Sequence, residues 1–312
     1  MKASWIFLRA PDIQRRLMNY QEFIENIKEH IQSQFDASYK VIVQPVIKNN
    51  GTILDGLIII DPILNISPTI YLNPYYHRYL NDASIEDIYE EILCTYRDNL
   101  PKEDFDISSF KDFTKAKEHI IIKLVNREKN RELLDDVPYI PFYDLAMIFV
   151  VAVCDFMNEF ATILIHNQHL ELWDISLDEL YQIAIHNTPN LLSSHFEPME
   201  KVLEHLDESS AAFPTDLNMY LLTNHVKIHG ATCMVYPGLL KHIADELEDN
   251  LIVIPSSIHE VLIIPYSACV GEYTISDFND MVLEVNETQL TDDEVLANHV
   301  YFYIRSDDKL IY

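Results

Sequence analysis

Two histidines and a glutamate form the first group of residues that could do chemistry. His166 and His169 lie three residues apart, just past an apolar strand pattern, and Glu171 follows them. Imidazole and carboxylate groups at this spacing could bind a metal ion, but the H-E-x-x-H pattern of a zinc-binding helix is absent. Histidines on the surface or in a turn are the more common explanation, so the sequence predicts no bound metal.

A second group lies in the run Ser256-Ser257-Ile258-His259-Glu260. A serine, a histidine and a glutamate could together form a nucleophile with its base. The G-x-S-x-G turn that exposes such a nucleophile in many hydrolases is absent, and a loop held by bonds between the hydroxyls and the backbone is the alternative. The catalytic candidates of the chain are therefore His166, His169, His259 and Glu260.

A second pair of histidines is less informative. His225 and His229 lie four residues apart, in front of Cys233. On a helix two residues at this spacing would share a face. The neighbouring Val226 and Gly230 favour a hairpin instead, so the spacing by itself predicts no site.

Two arginines are the candidates for ligand binding. Arg127 and Arg131 lie four residues apart in a polar stretch, 126–136, that we predict to be a helix. On one helix face their guanidinium groups could hold a carboxylate or a phosphate group. The alternative is that they pair with the many acidic residues nearby.

The charge of the chain limits its partners. The sequence has 50 acidic and 22 basic residues, a formal net charge of −28. Because a nucleic-acid-binding protein needs a basic surface that displaces counterions, direct binding of DNA or RNA is not expected. A solvated acidic surface explains the charge. The alternative is a surface that mimics nucleic acid, although the acidic residues are spread along the chain and form no single block.

Several other classes of protein are excluded by missing patterns. Glycine accounts for only 5 residues, and no phosphate-binding loop, dinucleotide fingerprint, EF-hand loop or zinc-finger spacing occurs, so no cofactor is expected. The sequence contains neither a signal-peptide pattern nor an apolar run of about 18 residues. We therefore expect a cytoplasmic protein that makes no membrane contact.

The first 17 residues differ from the rest of the chain. Residues 1–17 carry four basic residues against one acidic residue and show no clear period, whereas an amphipathic helix pattern begins after Met18. We expect Met18 to be the natural start, which would make residues 1–17 an extension foreign to the native protein. The alternative is an ordinary N-terminal arm that packs through Trp5 and Phe7.

Alternating apolar patterns and turn residues predict an α+β fold of mixed, mostly antiparallel sheets with helices on one face. Asn49-Asn50-Gly51 between two β-rich runs predicts a hairpin, because an Asn-Gly pair tolerates the positive φ angles of a tight turn. Pro138 and Pro141 bracket another turn. We place a boundary near residue 136, between a first lobe, 18–135, and a second lobe, 136–312.

Three segments follow one pattern, which indicates an internal repeat. Each begins with Ser or Thr and has Asp or Glu three residues later, as in a helix capping box. Two apolar strand patterns precede each cap, so the sequence predicts three strand–strand–helix units. The alternative is chance, because capping boxes and hairpins are common. The three pairs are Ser84 with Asp87, Ser176 with Glu179, and Thr274 with Asp277.

Five stretches resemble a bacterial family, the domain-of-unknown-function family 5688. They are NNGTILDGL (49–57), SPTIYL (67–72), NREKNRELL (126–134), ATILIHNQHLELW (161–173) and PSSIHEVLIIP (255–265). The similarity extends from Met18 to Tyr303. The resemblance implies a bacterial protein of the cytoplasm, and it transfers no functional residues to this chain.

Composition and motifs together favour a non-enzymatic binding or regulatory protein that presents an acidic surface to a protein partner. One alternative is a hydrolytic enzyme that uses His166 and His169, or His259 and Glu260. The other is an acidic mimic of nucleic acid that blocks a basic partner. A deep pocket where two of these histidines meet would favour the enzyme, a continuous acidic stripe the mimic, and a filled core without a cleft the binding protein.

Overall fold

The structure is a computed structural model in which helices and antiparallel sheets alternate along the chain, and this confirms the predicted α+β class. No helix among the described residues is long and apolar enough to cross a membrane. The predicted extension, residues 1–17, lies outside the described residues except for Leu17. The described residues are 17–100, 110–156, 159–204, 218–255, 257–269, 271 and 273–312.

The chain forms two compact units. The first comprises Met1–Val46 and Leu54–Asp104, and the second comprises Ile47–Ile53 and Phe105–Tyr312. The boundary that the sequence predicts near residue 136 would assign 105–135 to the first lobe. In the structure a strand of this segment, Ile120–Asn126, pairs along its whole length with Leu145–Phe156, and the segment therefore belongs to the second unit.

The first unit packs three helices against a three-stranded sheet of order β1-β2-β3. Its elements are α1 Tyr20–Ser33, β1 Lys40–Ile47, β2 Ile53–Ile60, β3 Thr69–Tyr71, α2 Leu72–Leu80 and α3 Ile85–Asp98. Asn19 and Glu22 form a capping box that starts α1. The apolar positions of α1 recur every three to four residues, so Phe23 and Ile27 share the buried face of the helix.

A four-stranded sheet lies in the second unit. Its strands are β4 Ile120–Asn126, β5 Tyr139–Phe142, β6 Leu145–Phe156 and β7 Glu159–Leu164. The long β6 pairs antiparallel with each of the other three strands. The helices around this sheet are α4 Phe113–Ala116, α5 Arg131–Leu134, α6 Asn167–Trp173 and α7 Leu177–Leu191.

The other sheet of the second unit has six strands in the order β13-β12-β10-β11-β9-β8. They are β8 Ser194–Pro198, β9 Tyr220–Asn224, β10 Leu251–Ile254, β11 Val261–Pro265, β12 Tyr301–Ile304 and β13 Lys309–Ile311. Three helices accompany them: α8 Met199–Glu204, α9 Leu239–Glu246 and α10 Ile275–Thr288. Strands β10 and β11 are buried on both faces, which explains why they read as unbroken apolar runs.

The elements of the three predicted strand–strand–helix units occur in the expected order. An antiparallel pair precedes each capped helix: β2 and β3 before α3, β6 and β7 before α7, and β10 and β11 before α10. Ser176 and Thr274 form the expected capping boxes. Ser84 caps α3 differently, because its hydroxyl binds Glu86 rather than Asp87. Common ancestry of the units stays a prediction.

Candidate functional site

A single lysine interrupts the apolar strand β4. Successive side chains of a strand point to opposite faces of the sheet. One set, Ile120, Ile122 and Leu124, therefore enters the large core that includes Leu180 of α7. The opposite set includes Lys123, and this face of the sheet is the wall of a cavity.

The cavity has a volume of about 1180 Å³ and is lined entirely by residues of the second unit. Pockets for small organic molecules measure roughly 300–1,000 Å³, so this one is large enough for such a ligand. Its apolar lining includes Val125, Ile148, Val150, Leu164 and Ile258. Its charged lining includes the basic residues Lys48, Lys123, Lys129 and Arg131 and the acidic residues Glu128, Glu132, Asp136, Asp293 and Glu294, and its polar lining includes Asn49, His229 and His259.

Lys123 is the most perturbed cation of the cavity. Burial lowers the pKa of its ammonium group to about 8, and the charge of Lys48 acts in the same direction while Asp293 opposes it. Within the described part of the chain, the ammonium group makes no hydrogen bond and no ion pair. A charged group is costly in such a place, and the cost is lowered when an anion binds or when the amine loses its proton.

Two histidines stand side by side on another part of the lining. The rings of His229 and His259 are stacked with centroids 5.9 Å apart, and the backbone N–H of His229 donates to Nδ1 of His259 at 3.4 Å. Because Nδ1 of His259 is an acceptor, its neutral ring carries the proton on Nε2. Nδ1 of His229 is buried and has no partner among the described residues. Burial, then the charge of Lys123, holds the pKa of His229 well below its usual value, so this ring is neutral.

A glycine makes this arrangement of the histidines possible. His229 has a positive φ of 54° and leads directly into Gly230. A Cβ atom on Gly230 would lie 2.1 Å from Oγ1 of Thr223 and 2.2 Å from the carbonyl oxygen of His259. The hydroxyl of Thr223 donates to that same carbonyl at 2.8 Å. The segments that carry the two histidines can therefore approach each other only because residue 230 has no side chain.

The hairpin tip between β1 and β2 supplies Lys48 and Asn49. As predicted for the Asn-Gly pair, both Asn50 and Gly51 have positive φ angles, 60° and 70°. Nδ2 of Asn49 donates to the carbonyl oxygen of Asp293 at 2.8 Å, and Nδ2 of Asn50 donates to two more carbonyls of the same loop. Oδ1 of Asn49 is buried without a partner among the described residues. These bonds fix the tip and the loop that carries Asp293 as parts of one site.

The cavity lies within the region that sequence comparison assigns to a family. Residues 20–305 match the sequence model of DUF5688, a family of unknown function. The chain belongs to DUF5688. This confirms the resemblance seen in the sequence, and because the family has no described function, membership assigns no role to any cavity residue. Comparisons with curated proteins and with solved structures gave no match.

In this DUF5688 protein His166 and His169 cap a helix. Nδ1 of His169 accepts the backbone N–H of His166 at 2.8 Å at the start of α6, and Nδ1 of His166 lies 2.6 Å from Oδ2 of Asp136. The ring of His169 stacks on Trp173, and burial lowers its pKa. Neither histidine lines the cavity. Among the described residues no group of three His, Cys, Asp or Glu side chains is arranged to hold a metal ion.

The other predicted catalytic pair is divided between the cavity and its surroundings. His259 lines the cavity, whereas Glu260 does not. Burial raises the pKa of the Glu260 carboxyl group, and a hydrogen bond with Ser257 opposes this rise. Oγ of the buried Ser257 also accepts the backbone N–H of His259 at 2.9 Å. Ser257 therefore stabilises the loop, and Ser256 lies outside the described residues.

The two arginines do not share a helix face. Strand β4 continues to Asn126, a turn follows, and helix α5 begins only at Arg131, so the predicted helix over 126–136 is wrong. The reason is the pairing of β4 with β6 up to Asn126, which overrides the local helix preference. Arg131 lines the cavity and pairs with Glu128, and Arg127 is exposed.

The residues that define the cavity most clearly are not among the candidates that the sequence suggests. Lys123 lies in strand β4 and Lys48 directly follows strand β1, and neither has a motif around it. One signal is nevertheless present, because a lysine within H-I-I-I-K-L-V is unusual in a strand whose other side chains are nearly all buried. His229 and Asn49 have no comparable local signal, since only the tertiary fold brings them to Lys123.

Proposed function

We propose that this DUF5688 protein binds a small organic molecule that combines an apolar body with an anionic group, and that the ligand occupies the cavity of the second unit. The observation that carries this proposal is Lys123. Lys123 lines the cavity from a strand whose other side chains, except that of Asn126, are apolar, and within the described residues its ammonium group has no hydrogen-bond or ion-pair partner. Such a group destabilises the empty protein, which is explicable if it serves a ligand.

The lining of the cavity supports both parts of this ligand. Val150, Leu164 and Ile258 offer an apolar surface to a hydrocarbon or aromatic body. Lys123 offers positive charge, and the charge of Lys48 acts on it. His259 offers a donor at Nε2 in its neutral form, because its Nδ1 accepts a bond from His229. A carboxylate or phosphate group accepts bonds from all of these groups.

Binding is favoured over hydrolysis by the same geometry. A general base needs an unprotonated nitrogen that faces the substrate, and the tautomer of His259 places a proton there. The neighbouring Ser257 binds the backbone and Glu260, so it is not available as a nucleophile. A protein partner that contacts the acidic surface of this chain and a cytoplasmic location belong to the proposal too. The net charge of −28 supports a solvated acidic surface. The same charge argues against direct binding of nucleic acid.

The test uses pairs of compounds that differ only in charge. Octanoate, phenyl phosphate and 4-methylbenzoate are compared with octanol, phenol and 4-methylbenzyl alcohol by thermal unfolding and by calorimetric titration. An anion at 100 times its Kd adds about 2.7 kcal/mol to the free energy of unfolding. We expect the anions to stabilise the protein more than their neutral counterparts do.

Two variants locate the binding site. Lys123→Gln should abolish the difference between anion and neutral compound, and Lys115→Gln should leave it unchanged because Lys115 is exposed on α4 and does not line the cavity. The proposal is overturned if no anion stabilises the protein more than its neutral counterpart. It is also overturned if the Lys123→Gln protein responds like the wild type.

A further inference from the structure

We infer that Lys123 reacts with its ligand, forming an imine through its amine with an aldehyde or ketone group of a molecule that also carries a carboxylate or phosphate. This inference rests on the proposed function and names the class of ligand more narrowly. It concerns one atom, Nζ of Lys123, and depends on where the fold places that atom.

Lys123 is accessible to a ligand in the cavity. Lys123 lines a cavity of about 1180 Å³, and its neighbours on the same face of the sheet, Val125 and Ile148, carry no polar side-chain atoms. Among the described residues no carboxylate or carbonyl oxygen binds the ammonium group. A carbonyl carbon of a bound ligand can therefore approach the nitrogen without first breaking a bond within the protein.

The surroundings of the Lys123 amine favour its neutral, reactive form. An imine forms only from the neutral amine, and lysines react in this way when they are desolvated or lie near a second cation. Lys123 meets both conditions, because burial lowers its pKa to about 8 and the charge of Lys48 acts in the same direction. At pH 7 such an amine is neutral roughly 300-fold more often than an ordinary lysine.

Other groups on the lining can orient the ligand. The anionic group of the ligand needs a partner other than the reacting amine, because the amine becomes neutral before it attacks. Lys48 from the hairpin tip and Nε2 of His259 remain as such partners on the lining. A ligand held by these groups and by the apolar wall presents its remaining carbonyl group to Lys123.

The reaction is balanced without any further reagent. The lone pair of the neutral amine forms a bond to the carbonyl carbon, and the carbonyl π electrons move to oxygen, which yields a carbinolamine after a proton passes from nitrogen to oxygen. The carbon–oxygen bond then breaks. The oxygen leaves as water with the two protons of the amine, and a carbon–nitrogen double bond remains.

The experiment traps this double bond in the purified full-length protein. The probe is 4-formylbenzoate with sodium cyanoborohydride, which reduces an imine to a stable secondary amine and leaves one 4-carboxybenzyl group on the lysine. Peptide mapping by mass spectrometry then gives the labelled fraction of every lysine. We expect the label on Lys123 to exceed that on the exposed Lys115 by about tenfold or more at pH 7.

Four controls make the outcome decisive. Benzaldehyde, which lacks the carboxylate, should label Lys123 less. An excess of 4-methylbenzoate, which lacks the carbonyl group, should compete with the probe. Lys123→Arg keeps the charge but cannot form the imine, so its total label should fall to that of the surface lysines, whereas Lys115→Arg should lose only its own peptide signal.

The inference is overturned if surface lysines take up the label and Lys123 in the wild-type protein does not. This comparison uses only the wild-type protein, so it does not depend on the folding of any variant. If 4-methylbenzoate still stabilises the protein in that case, binding stands and only the covalent step fails. If 4-methylbenzoate and the other anions have no effect, the proposed function fails as well.

Discussion

Asn50 and Asn130 bind each other through two hydrogen bonds. The backbone N–H of Asn50 donates to Oδ1 of Asn130, and Nδ2 of Asn130 donates to Oδ1 of Asn50, both at 2.9 Å. Nδ2 of Asn130 also donates to the carbonyl oxygen of Asn126 at 2.8 Å, at the end of β4. One buried side chain thus joins the hairpin tip next to Lys48 to the strand that carries Lys123.

Replacing Asn130 by alanine should loosen the hairpin tip. The backbone N–H of Asn50 and the carbonyl of Asn126 would lose a buried partner, which costs about 1–3 kcal/mol. Hydrogen exchange measured by mass spectrometry should rise in peptides that cover 47–53. Asn218→Ala is the control, because Asn218 is exposed. Unchanged exchange in 47–53 would show that the asparagine pair does not hold the tip.

Much of the fold could be predicted because its signals are local. Asn50-Gly51 specified a turn with positive φ angles, and Ser176 and Thr274 specified where two helices begin. Such features depend on residues only a few positions apart. The helix expected over 126–136 was wrong because β4 pairs with β6, a contact that no local pattern reports.

The site could not be predicted in the same way, because its residues come from segments far apart in the chain. His166 and His169 had a suggestive spacing, yet the spacing serves a helix cap. Lys48, Lys123 and His229 have no shared motif, and their neighbours are known only from the fold. The one indication in the sequence was the lysine within an apolar strand. Burying the charge of a lysine costs free energy, so its position calls for an explanation.

Lys123→Met should stabilise the protein at pH 7. Methionine has a similar length and no charge, so the substitution removes the cost of a buried ammonium group. With a folded pKa of about 8 against an ordinary value of 10.5, the gain is about 1–3 kcal/mol. Chemical unfolding of both proteins measures it. Lys115→Met, at an exposed position, should change stability by less than about 0.5 kcal/mol.

The gain from Lys123→Met should depend on pH with a definite sign. Below about pH 8 Lys123 is protonated in the folded and the unfolded state, so the wild type bears the full cost. Between about 8 and 10.5 the folded state has lost the proton that the unfolded state still binds, and wild-type stability rises with pH relative to the variant. The difference between the two proteins should therefore shrink over this range. A difference that is constant from pH 7 to 10 would contradict a lowered pKa.

Gly230→Ala should destabilise the second unit more than other glycine substitutions do. A Cβ atom there would lie within 2.2 Å of Thr223 and of the His259 carbonyl, so the backbone must shift, at a cost of about 3 kcal/mol. Gly238→Ala is the matched control. Gly238 has a positive φ of 71°, but no atom lies within 4 Å of the position that its methyl group would take, so only backbone strain of about 1 kcal/mol is expected. Equal losses for both variants, measured by urea unfolding, would show that residue 230 is not tightly packed.

His299→Gln should remove a pH-dependent part of the stability. Nε2 of His299 lies 3.0 Å from Oδ2 of Asp144. The other carboxylate oxygen of Asp144 accepts a hydrogen bond from the hydroxyl of Tyr301. The hydrogen bond with Asp144 raises the pKa of His299 against the effect of burial, so the folded state holds this proton more tightly than the unfolded state. The resulting stabilisation, up to about 1 kcal/mol, is complete below the unfolded pKa of about 6.5.

That stabilisation is lost as pH rises through the folded pKa of His299, because both states are then neutral. The difference in unfolding free energy between the wild type and His299→Gln should therefore be largest near pH 6 and should fall towards pH 9. His242→Gln is the control, because His242 is exposed on α9. A His299→Gln difference that stays equal at both pH values would mean that Asp144 binds the neutral ring as strongly as the protonated ring.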